Sequence, residues 1–316
     1  MLLERLRKHT TLSADQLEAY ARTASRRYAS FEIAKRSSVE MRPIHQPSRE
    51  IKALQRWLVA ALIRQLPVHE AASAYKKGAC IRDNAKRHCK TSFTVRLDFE
   101  NFFPSFRGGH VEAYLQAVAP ELNDADLSFV RRIVCRHEEL TIGAPSSPAL
   151  TNAMMHDFDE ELAGWCKERG LIYTRYADDM FISAFEPNKL KDVPARVAEL
   201  AAWFPYATLR INRNKTAQLS RKYRRTVTGL VLTPDGNVSI GRGVKRKLRS
   251  DIFRYCQAPD ECDPVERSRI AGKIAFARDV EPKFFDRLVA KYGAATIERI
   301  VKGPYIRDPS EAQIGG

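Results

Sequence analysis

Two adjacent carboxylates, Asp178 and Asp179, lie between two apolar segments (residues 171–175 and 180–183) that are rich in residues favouring β-strands. This pattern predicts a β-hairpin whose turn carries both acids. Neighbouring carboxylates repel each other, so a turn that exposes both calls for a cation, and hard oxygen ligands suit Mg²⁺. A bare Asp-Asp pair is more often a solvated turn, so other parts of the chain are needed to distinguish a metal site from such a turn.

A third carboxylate lies upstream, where the apolar run 92–97 predicts a strand that ends at Asp98. An Asp at a strand end that faces the Asp-Asp hairpin could hold two Mg²⁺ ions about 3.5–4 Å apart, which stabilises both the attacking and the leaving oxygen of a phosphoryl transfer. Taken alone, Asp98 would also fit a strand-terminating turn. Between the two sites, a loop rich in proline and glycine (143–152) leads into a predicted helix at 153–167.

In order and spacing, these segments resemble motifs A, B and C of reverse transcriptases: Asp98 with Phe102-Phe103, then Gly-Ala-Pro-Ser-Ser-Pro at 143–148, then Tyr-Ala-Asp-Asp at 176–179. Residues 84–88 resemble the NAxxH element of retron reverse transcriptases, and residues 227–229 resemble their VTG element. The resemblance spans roughly residues 25–300. It implies an α+β, right-hand polymerase fold with fingers, a palm with an antiparallel sheet, and a helical thumb.

The resemblance also implies catalytic roles. Asp98, Asp178 and Asp179 would bind two Mg²⁺ ions, with Mn²⁺ as an alternative, and the backbone carbonyl of Phe99 would assist them. Lys215 matches the motif D lysine, which would protonate the pyrophosphate leaving group as a general acid.

A second implied set would bind the incoming dNTP: Arg42, Lys52, Phe103, Gly143 and Ala144. Arg42 would hold the triphosphate, because a guanidinium can bind phosphate through two hydrogen bonds. Lys52 fits the same role and fits a surface charge equally well. Phe103 would be the steric gate against a 2′-OH, with Phe102 as a core aromatic. Many reverse transcriptases have Gln where this chain has Ile142, which leaves the details of dNTP contact and fidelity open.

A third set is predicted to bind RNA: Asn84, His88, Val227, Thr228, Gly229, Lys245, Arg246, Lys247 and Arg249. Asn84 and His88 would share one face if this segment is helical, and a structural histidine is the alternative for His88. Gly229 would allow close approach of the backbone to nucleic acid. The basic run at 245–249 is typical of a helix laid on RNA, and such runs are also common on solvated faces.

The composition agrees with a nucleic-acid partner, since 53 Lys and Arg residues against 38 Asp and Glu give a net charge of +15. No apolar run is long enough to cross a membrane. The N-terminus is too charged for a signal peptide. Six scattered cysteines predict reduced thiols in a cytoplasmic protein rather than a zinc site.

Strand and helix patterns are mixed without regular alternation, which favours an α+β fold. We expect an N-terminal helical segment (1–30), fingers and palm (31–240) and a helical, RNA-binding thumb (241–316). Strands are predicted at 31–33, 41–45, 207–211, 227–232 and 238–240. Helices are predicted at 49–66, 111–118, 125–135, 187–204 and from 244 onward.

If the resemblance holds, the enzyme copies a structured noncoding RNA (msr-msd) into DNA. It would prime from the 2′-OH of an internal guanosine and yield branched msDNA that stays bound. A neighbouring effector protein would complete an antiphage defence unit. No RNase H segment is recognisable, so a host RNase H would remove the template. Alternatives are a group II intron-like or diversity-generating reverse transcriptase, and a catalytically silent RNA-binding scaffold.

Overall fold

A computed structural model describes residues 2–34 and 41–306. The chain divides into two compact units, one formed by residues 1–79 and 95–218, the other by residues 80–94 and 219–316. This division follows contacts between residues, whereas fingers, palm and thumb are functional parts, so the boundaries at 30 and 240 stay predictions. Residues 307–316 of the predicted thumb lie outside the described residues.

Helices make up about half of the described chain. In chain order they are α1 Leu2–Lys8, α2 Ala14–Thr23, α3 Arg49–Ala61, α4 Ile81–His88, α5 Gly108–Val118, α6 Asp124–Val134, α7 Ser147–Met154, α8 His156–Glu168, α9 Val193–Trp203, α10 Arg242–Gln257, α11 Pro264–Val280, α12 Pro282–Tyr292 and α13 Ala294–Lys302. None of these helices is long and apolar enough to span a bilayer.

The strands are β1 Tyr28–Ala34, β2 Met41–Pro47, β3 Phe93–Asp98, β4 Ile172–Tyr176, β5 Asp179–Ala184, β6 Ala217–Ser220, β7 Arg225–Val227, β8 Leu230–Leu232 and β9 Val238–Ser239. They form a two-stranded ribbon (β1-β2), a four-stranded sheet in the order β4-β5-β3-β6, and a small sheet in the order β7-β8-β9. Helices together with antiparallel pairs confirm the predicted α+β class.

The N-terminal helices follow local sequence signals. Ser13 and Gln16 form a reciprocal capping box that starts α2. The backbone N–H groups of Leu2 and Leu3 donate to the buried carboxylate of Asp126 on α6, which satisfies the first turn of α1. The predicted N-terminal helical segment is thereby attached to α6 in the first unit.

One predicted helix is divided. The helix expected at 153–167 is two helices, α7 and α8, which meet at Met155. Helix α7 already begins at Ser147, because Pro148 at its first turn has the fixed φ that a helix start accepts.

Two predicted strands need correction. Residues 207–211 are extended but form only an isolated bridge, Ile211 with Phe99, because their partner is the turn after β3. That turn offers single bonds, such as Glu100 N–H to the Arg210 carbonyl (2.8 Å), and not a regular ladder. The strand predicted at 227–232 is two strands, since Thr228 (φ +47°) and Gly229 (φ +82°) make a tight turn. Two positive φ angles are the signature of a type I′ hairpin turn.

Candidate active site

The hairpin predicted around Asp178 and Asp179 is present. Strands β4 and β5 pair so that Tyr176 lies opposite Asp179, which leaves Ala177 and Asp178 as a two-residue turn. Ala177 has φ +58°, a region that favours glycine and costs an alanine about 1 kcal/mol. A turn of this conformation therefore needs support from the surrounding structure.

Asp98 ends the neighbouring strand β3 and joins the hairpin. The backbone N–H of Phe99 donates to the carbonyl oxygen of Asp178 over 3.3 Å. Asp98 itself is 2% exposed. The predicted convergence of Asp98, Asp178 and Asp179 is therefore realised within the first compact unit.

Two cations neutralise two of these acids. Lys215 Nζ lies 2.8 Å from Asp98 Oδ1 and 2.9 Å from Oδ2. Arg96 donates to Asp179 Oδ1 from Nε (2.8 Å) and pairs with the same oxygen through Nη2 (2.7 Å). We did not predict Arg96 from the sequence. Its signal was its place two residues before Asp98, which puts both side chains on one face of β3.

The third acid, Asp178, forms no ion pair among the described residues and is repelled by the charges of Asp98 and Asp179. Burial, followed by the charges of Asp98 and Asp179, raises its pKa to about 6. Burial also raises the pKa of Asp179, although Arg96 opposes that shift. Carboxylates close enough to perturb one another in this way bind a divalent cation favourably.

The donor set fits Mg²⁺, because carboxylate and carbonyl oxygens are the ligands this ion prefers. Asp98, Asp178, Asp179 and the Phe99 carbonyl would hold it. In the part of the chain that the structure describes, no three acidic, His or Cys side chains already form a metal cage. Instead, Lys215 and Arg96 contact the carboxylates of Asp98 and Asp179.

A fully buried arginine supports the turn that carries Asp178. Arg175 donates to both oxygens of Asp159 on α8 at 2.6–3.1 Å, and both side chains are completely buried. Its Nη1 also donates to the carbonyl of Ala177 (3.1 Å) and to Asn152 Oδ1 on α7 (3.2 Å). Tyr173 completes the network with a 2.7 Å bond to Asp159. The strained residue of the turn is thus tied to two helices.

The motif A aromatics occupy different environments. Phe102 is buried and stacks on Phe99, with ring centroids 6.0 Å apart and 11° between planes. Phe103 is half-buried in the short 3-10 turn that follows β3. This difference agrees with Phe102 as a core residue and Phe103 as the gate, a role that stays a prediction.

The predicted nucleotide loop is packed under β2. Gly143 has φ +105°, and a Cβ there would lie 3.1 Å from the His45 carbonyl, so glycine is required. Next to it, Ala144 is buried and the Ile142 carbonyl accepts from the His45 N–H (3.0 Å). The backbone of Ile142 therefore fastens this loop whatever its side chain.

The two predicted phosphate ligands differ in exposure. Arg42 is exposed on β2. Lys52 on α3 is only 9% exposed, and its burial, with Arg56 nearby, lowers its pKa. The structure leaves Arg42 more accessible to a nucleotide than Lys52.

Tyr75 is a site residue that the sequence did not reveal. It has φ +59°, is 51% exposed, and its ring centroid lies 6.4 Å from that of Tyr176. Its pKa is raised, first by loss of hydration and then by the charge of Asp178, while Arg42 opposes the shift. A lone tyrosine in a loop carries no pattern from which this position could be inferred.

In the second compact unit, Asn84 and His88 lie on α4 one turn apart, as predicted. Both are buried, and burial, Arg87 and Arg225 lower the pKa of His88 to about 3. The imidazole is therefore neutral at physiological pH. Thr228 in the tight turn donates to the carbonyl of Ile81 (3.2 Å), which fastens the turn to α4. Their contact with RNA stays a prediction.

The residues of the basic run on α10 differ in their contacts and exposure. Lys245 pairs with Glu281 (2.5 Å), and both Lys245 and Arg249 lie over the ring of Phe284, at 5.3 and 5.1 Å from its centroid. Arg246 and Lys247 are exposed. Lys245, which is half-buried, thus has a packing role within this unit, whereas Arg246, Lys247 and Arg249 are open to a partner.

Comparison with known proteins gives one consistent result. Residues 33–232 match the family model described as reverse transcriptase (RNA-dependent DNA polymerase). The chain is 33% identical to Retron Ec83 reverse transcriptase of Escherichia coli, covering 87% of this chain and 90% of that protein. It is also 33% identical to Retron Ec86 reverse transcriptase of Escherichia coli, covering 91% and 87%.

Among solved structures, the telomerase of Candida tropicalis in complex with a TWJ fragment of telomeric RNA matches with a TM-score of 0.50 at 10% identity. The match covers 87% of this chain and 58% of the telomerase chain, so this chain spans little more than half of that protein. At this identity the likeness shows the fold alone.

Proposed function

This chain belongs to the retron reverse transcriptases and is an RNA-directed DNA polymerase with the reverse transcriptase fold, and from that premise we propose that it makes branched msDNA from a structured noncoding RNA. The observation that carries its chemistry is the convergence of Asp98, Asp178 and Asp179, with Lys215 in contact with Asp98.

We propose that the three carboxylates and the Phe99 carbonyl hold two Mg²⁺ ions, with Mn²⁺ as an alternative. Bound there, the ions would supply the positive charge that stabilises the entering and leaving oxygens of the transfer. Lys215 would leave Asp98 when metal binds, because the cation then neutralises that carboxylate. Its freed ammonium group could donate a proton to the departing pyrophosphate.

Selection of the nucleotide would fall to the residues around this centre. Arg42, exposed on β2, would bind the triphosphate, and Lys52 would add positive charge from α3. The half-buried ring of Phe103 would collide with a 2′-OH and so favour dNTPs. Gly143 and Ala144 would line the pocket, in a loop whose backbone is fixed to β2.

The nucleic acid would be the cognate msr-msd RNA, which serves as template and, through the 2′-OH of an internal guanosine, as primer. The two E. coli relatives support this, because both are retron reverse transcriptases over most of their length. The chain's net charge of +15 suits such a polyanionic partner. An effector protein, an antiphage role, a host RNase H and a cytoplasmic location are part of the proposal and rest on the family resemblance.

The test is to express the gene with its flanking DNA and sequence the nucleic acid that copurifies with the protein. We expect a short DNA joined by a 2′–5′ linkage to RNA, which shortens when a debranching enzyme is added. In the matched control, Asp178→Asn keeps the shape of the side chain but removes a metal ligand. This variant should lose incorporation of dNTPs by about 10³-fold or more and still bind RNA.

Two results would overturn parts of this assignment. Extension of a generic primer without any branched product would point to a group II intron-like or diversity-generating enzyme. Near-normal extension by Asp178→Asn, or none by the wild type with either Mg²⁺ or Mn²⁺, would remove the catalytic assignment and favour an RNA-binding scaffold.

A further inference from the structure

The turn between β6 and β7 carries positive charge that none of the predicted sites includes. Arg221, Lys222 and Arg224 are exposed there. They flank Tyr223, which is 71% exposed, and Lys222 Nζ lies 5.9 Å from the centroid of its ring. An exposed aromatic ring among cations is a common arrangement on nucleic-acid-binding surfaces.

This turn is fixed to the segment that follows α4, within the same compact unit. The backbone N–H of Arg221 donates to the Ser92 carbonyl (2.8 Å), and Arg221 Nη2 donates to the Lys90 carbonyl (2.7 Å). Lys90 is itself exposed and adds a fourth cation. We call Lys90, Arg221, Lys222, Tyr223 and Arg224 the basic patch.

The charge of the basic patch is not balanced by the protein. Within residues 2–34 and 41–306, none of its four cations forms an ion pair with a carboxylate. On α10, in contrast, Lys245 is paired with Glu281. Like charges held together without counter-charges destabilise the free protein, and a bound polyanion would offset that repulsion.

A buried arginine next to the basic patch in the chain also indicates that an anion binds here. Arg225 is 1% exposed, and only its Nη1 has partners, Thr91 Oγ1 (3.3 Å) and Thr94 Oγ1 (3.4 Å). Its Nε and Nη2 have no hydrogen-bond partner among the described residues. Burial, followed by the charge of Arg221, lowers its pKa. A buried guanidinium without a carboxylate is costly unless an anion nearby offsets its charge.

We propose that the basic patch is an RNA-docking surface, in which Lys90, Arg221, Lys222 and Arg224 contact phosphates and Tyr223 stacks on an unpaired base. This rests on the proposed function, which makes a structured RNA the partner. Tyr223 is the one large apolar side chain exposed between residues 219 and 232, all of which the structure describes. A single ring suits a base face, whereas a protein partner would need a contiguous apolar centre. The ligand is therefore a stem with an unpaired loop or end.

The electrostatic part is tested with a triple variant, Arg221→Gln, Lys222→Gln and Arg224→Gln, and a short RNA stem–loop as probe. Affinity is measured over a salt series. Each phosphate contact contributes about 0.7–0.9 to the slope of log K against log salt, so the slope should fall by about 2 in magnitude. The matched control, Lys167→Gln, Arg169→Gln and Lys189→Gln, removes the same charge from exposed positions of the other unit and should leave the slope unchanged.

The stacking part is tested without any change of charge. Tyr223→Ala should weaken binding of the stem–loop about 5- to 100-fold at constant salt slope, because stacking of one base on an aromatic ring is lost. Tyr223→Phe should retain the affinity. A fully paired RNA duplex of equal length should bind Tyr223→Ala and wild type alike, since it offers no unpaired base.

An unchanged slope in the triple variant, or an equal loss in its control, would overturn the docking surface. Equal losses of Tyr223→Ala on stem–loop and duplex would overturn the stacking contact. Primer extension by the wild type on a generic RNA template is measured separately. A wild type that binds the stem–loop through the basic patch but does not extend a primer would refute the proposed function and leave this inference standing.

Discussion

At the scale of single residues, the three carboxylates that we propose to be catalytic differ in how the protein neutralises them. Lys215 forms an ion pair with Asp98, and Arg96 forms one with Asp179, while Asp178 has no ion pair among the described residues. Burial, followed by the charges of Asp98 and Asp179, raises its pKa to about 6. A charged Asp178 therefore destabilises the folded protein, as expected at the cation site that we propose.

The sign of this effect gives a pH-dependent prediction. The folded state binds the Asp178 proton more tightly than the unfolded state, so its stabilising effect is present at low pH and is lost as pH rises from about 3.8 to about 6. With metal removed by EDTA at pH 7.5, the free energy of unfolding of Asp178→Asn should be about 1–3 kcal/mol larger than that of the wild type. The difference should disappear near pH 4, as followed by denaturant titration.

Asp179→Asn is the matched control for that measurement. This change deprives Arg96 of its partner, so the gain in stability at pH 7.5 should be smaller or reversed. Equal gains from both variants would mean that the Arg96 pair contributes nothing. If the wild type and Asp178→Asn had the same free energy of unfolding at every pH, the charge of Asp178 would not destabilise the protein and this prediction would be wrong.

Phe103 gives a second prediction at this scale. Because its ring is half-buried beside the buried Phe102, a smaller side chain should open space where a ribose would lie. Phe103→Val should raise the ratio of kcat/KM for rNTP over dNTP about 10-fold or more, measured by single-nucleotide incorporation. Phe102→Val, the control, should instead lower the thermal unfolding temperature. An unchanged ratio in Phe103→Val would remove Phe103 as the gate.

At the scale of elements, the hairpin of β4 and β5 depends on hydrogen bonds from outside itself. Arg175 joins β4 to α8 through Asp159, to α7 through Asn152 and to the turn through the Ala177 carbonyl. The same region holds the loop before α4, since Asn152 Nδ2 donates to the Ala74 carbonyl (2.7 Å). The geometry of Asp178 and Asp179 therefore depends on the two helices that precede the hairpin, α7 and α8.

Arg175→Lys tests this dependence. Lysine keeps the charge next to Asp159 but cannot also reach Asn152 and the Ala177 carbonyl. We expect kcat to fall about 10- to 100-fold, because small misplacements of catalytic groups are costly, with a higher Mg²⁺ requirement and little change in KM for dNTP. The measurement is steady-state incorporation over a Mg²⁺ series, with thermal unfolding alongside.

Tyr173→Phe is the control for this network. It removes a bond to the same carboxylate of Asp159 but leaves the bond from Arg175 to Ala177. If Tyr173→Phe shifts the Mg²⁺ dependence as far as Arg175→Lys, the network is merely structural and Arg175 does not position the turn.

Helix α10 carries the other prediction at this scale. Neutralising Arg246 and Lys247 should weaken RNA binding and lower the salt slope by about 1–2 without a change in unfolding temperature, because both side chains are exposed. Lys245→Gln should instead lower the unfolding temperature by about 2–4 °C, since Glu281 loses the shorter of its two ion pairs, the other being with Arg287 at 3.9 Å. Unfolding scans and a binding series separate the two. An unchanged slope in the double variant would make this face merely solvated.

At the scale of the whole molecule, a net charge of +15 steers any polyanion towards the protein but does not select one. Selection requires cations and rings at particular places, as in the basic patch and the exposed part of α10. The family assignment supplies the reaction, and the distribution of unpaired charge supplies candidate contacts with the RNA. The net charge therefore accounts for attraction of a polyanion, whereas the positions of individual side chains would account for its selection.

Much of this protein could be predicted from local patterns. The hairpin with Asp178 and Asp179 was visible because strand-forming residues flank a turn, whereas helix α4 was only a condition for Asn84 and His88 to share a face. The ribbon of β1 and β2 and most helices follow in the same way. Where prediction was wrong, as at 207–211, the segment had a strand-like composition but its partner was a turn.

The order of the motifs, the α+β class and the three candidate carboxylates can be read from the amino-acid sequence, because each depends on residues close together in the chain. The folded chain was needed to show which cations pair with those acids, that Arg175 supports the turn, that Tyr75 lies beside Tyr176, and that Lys245 is paired whereas Arg221 is not. Lys215 meets Asp98 across 117 residues and Arg221 meets Lys90 across 131. Local periodicity does not encode such pairings, since packing of distant elements brings the partners together.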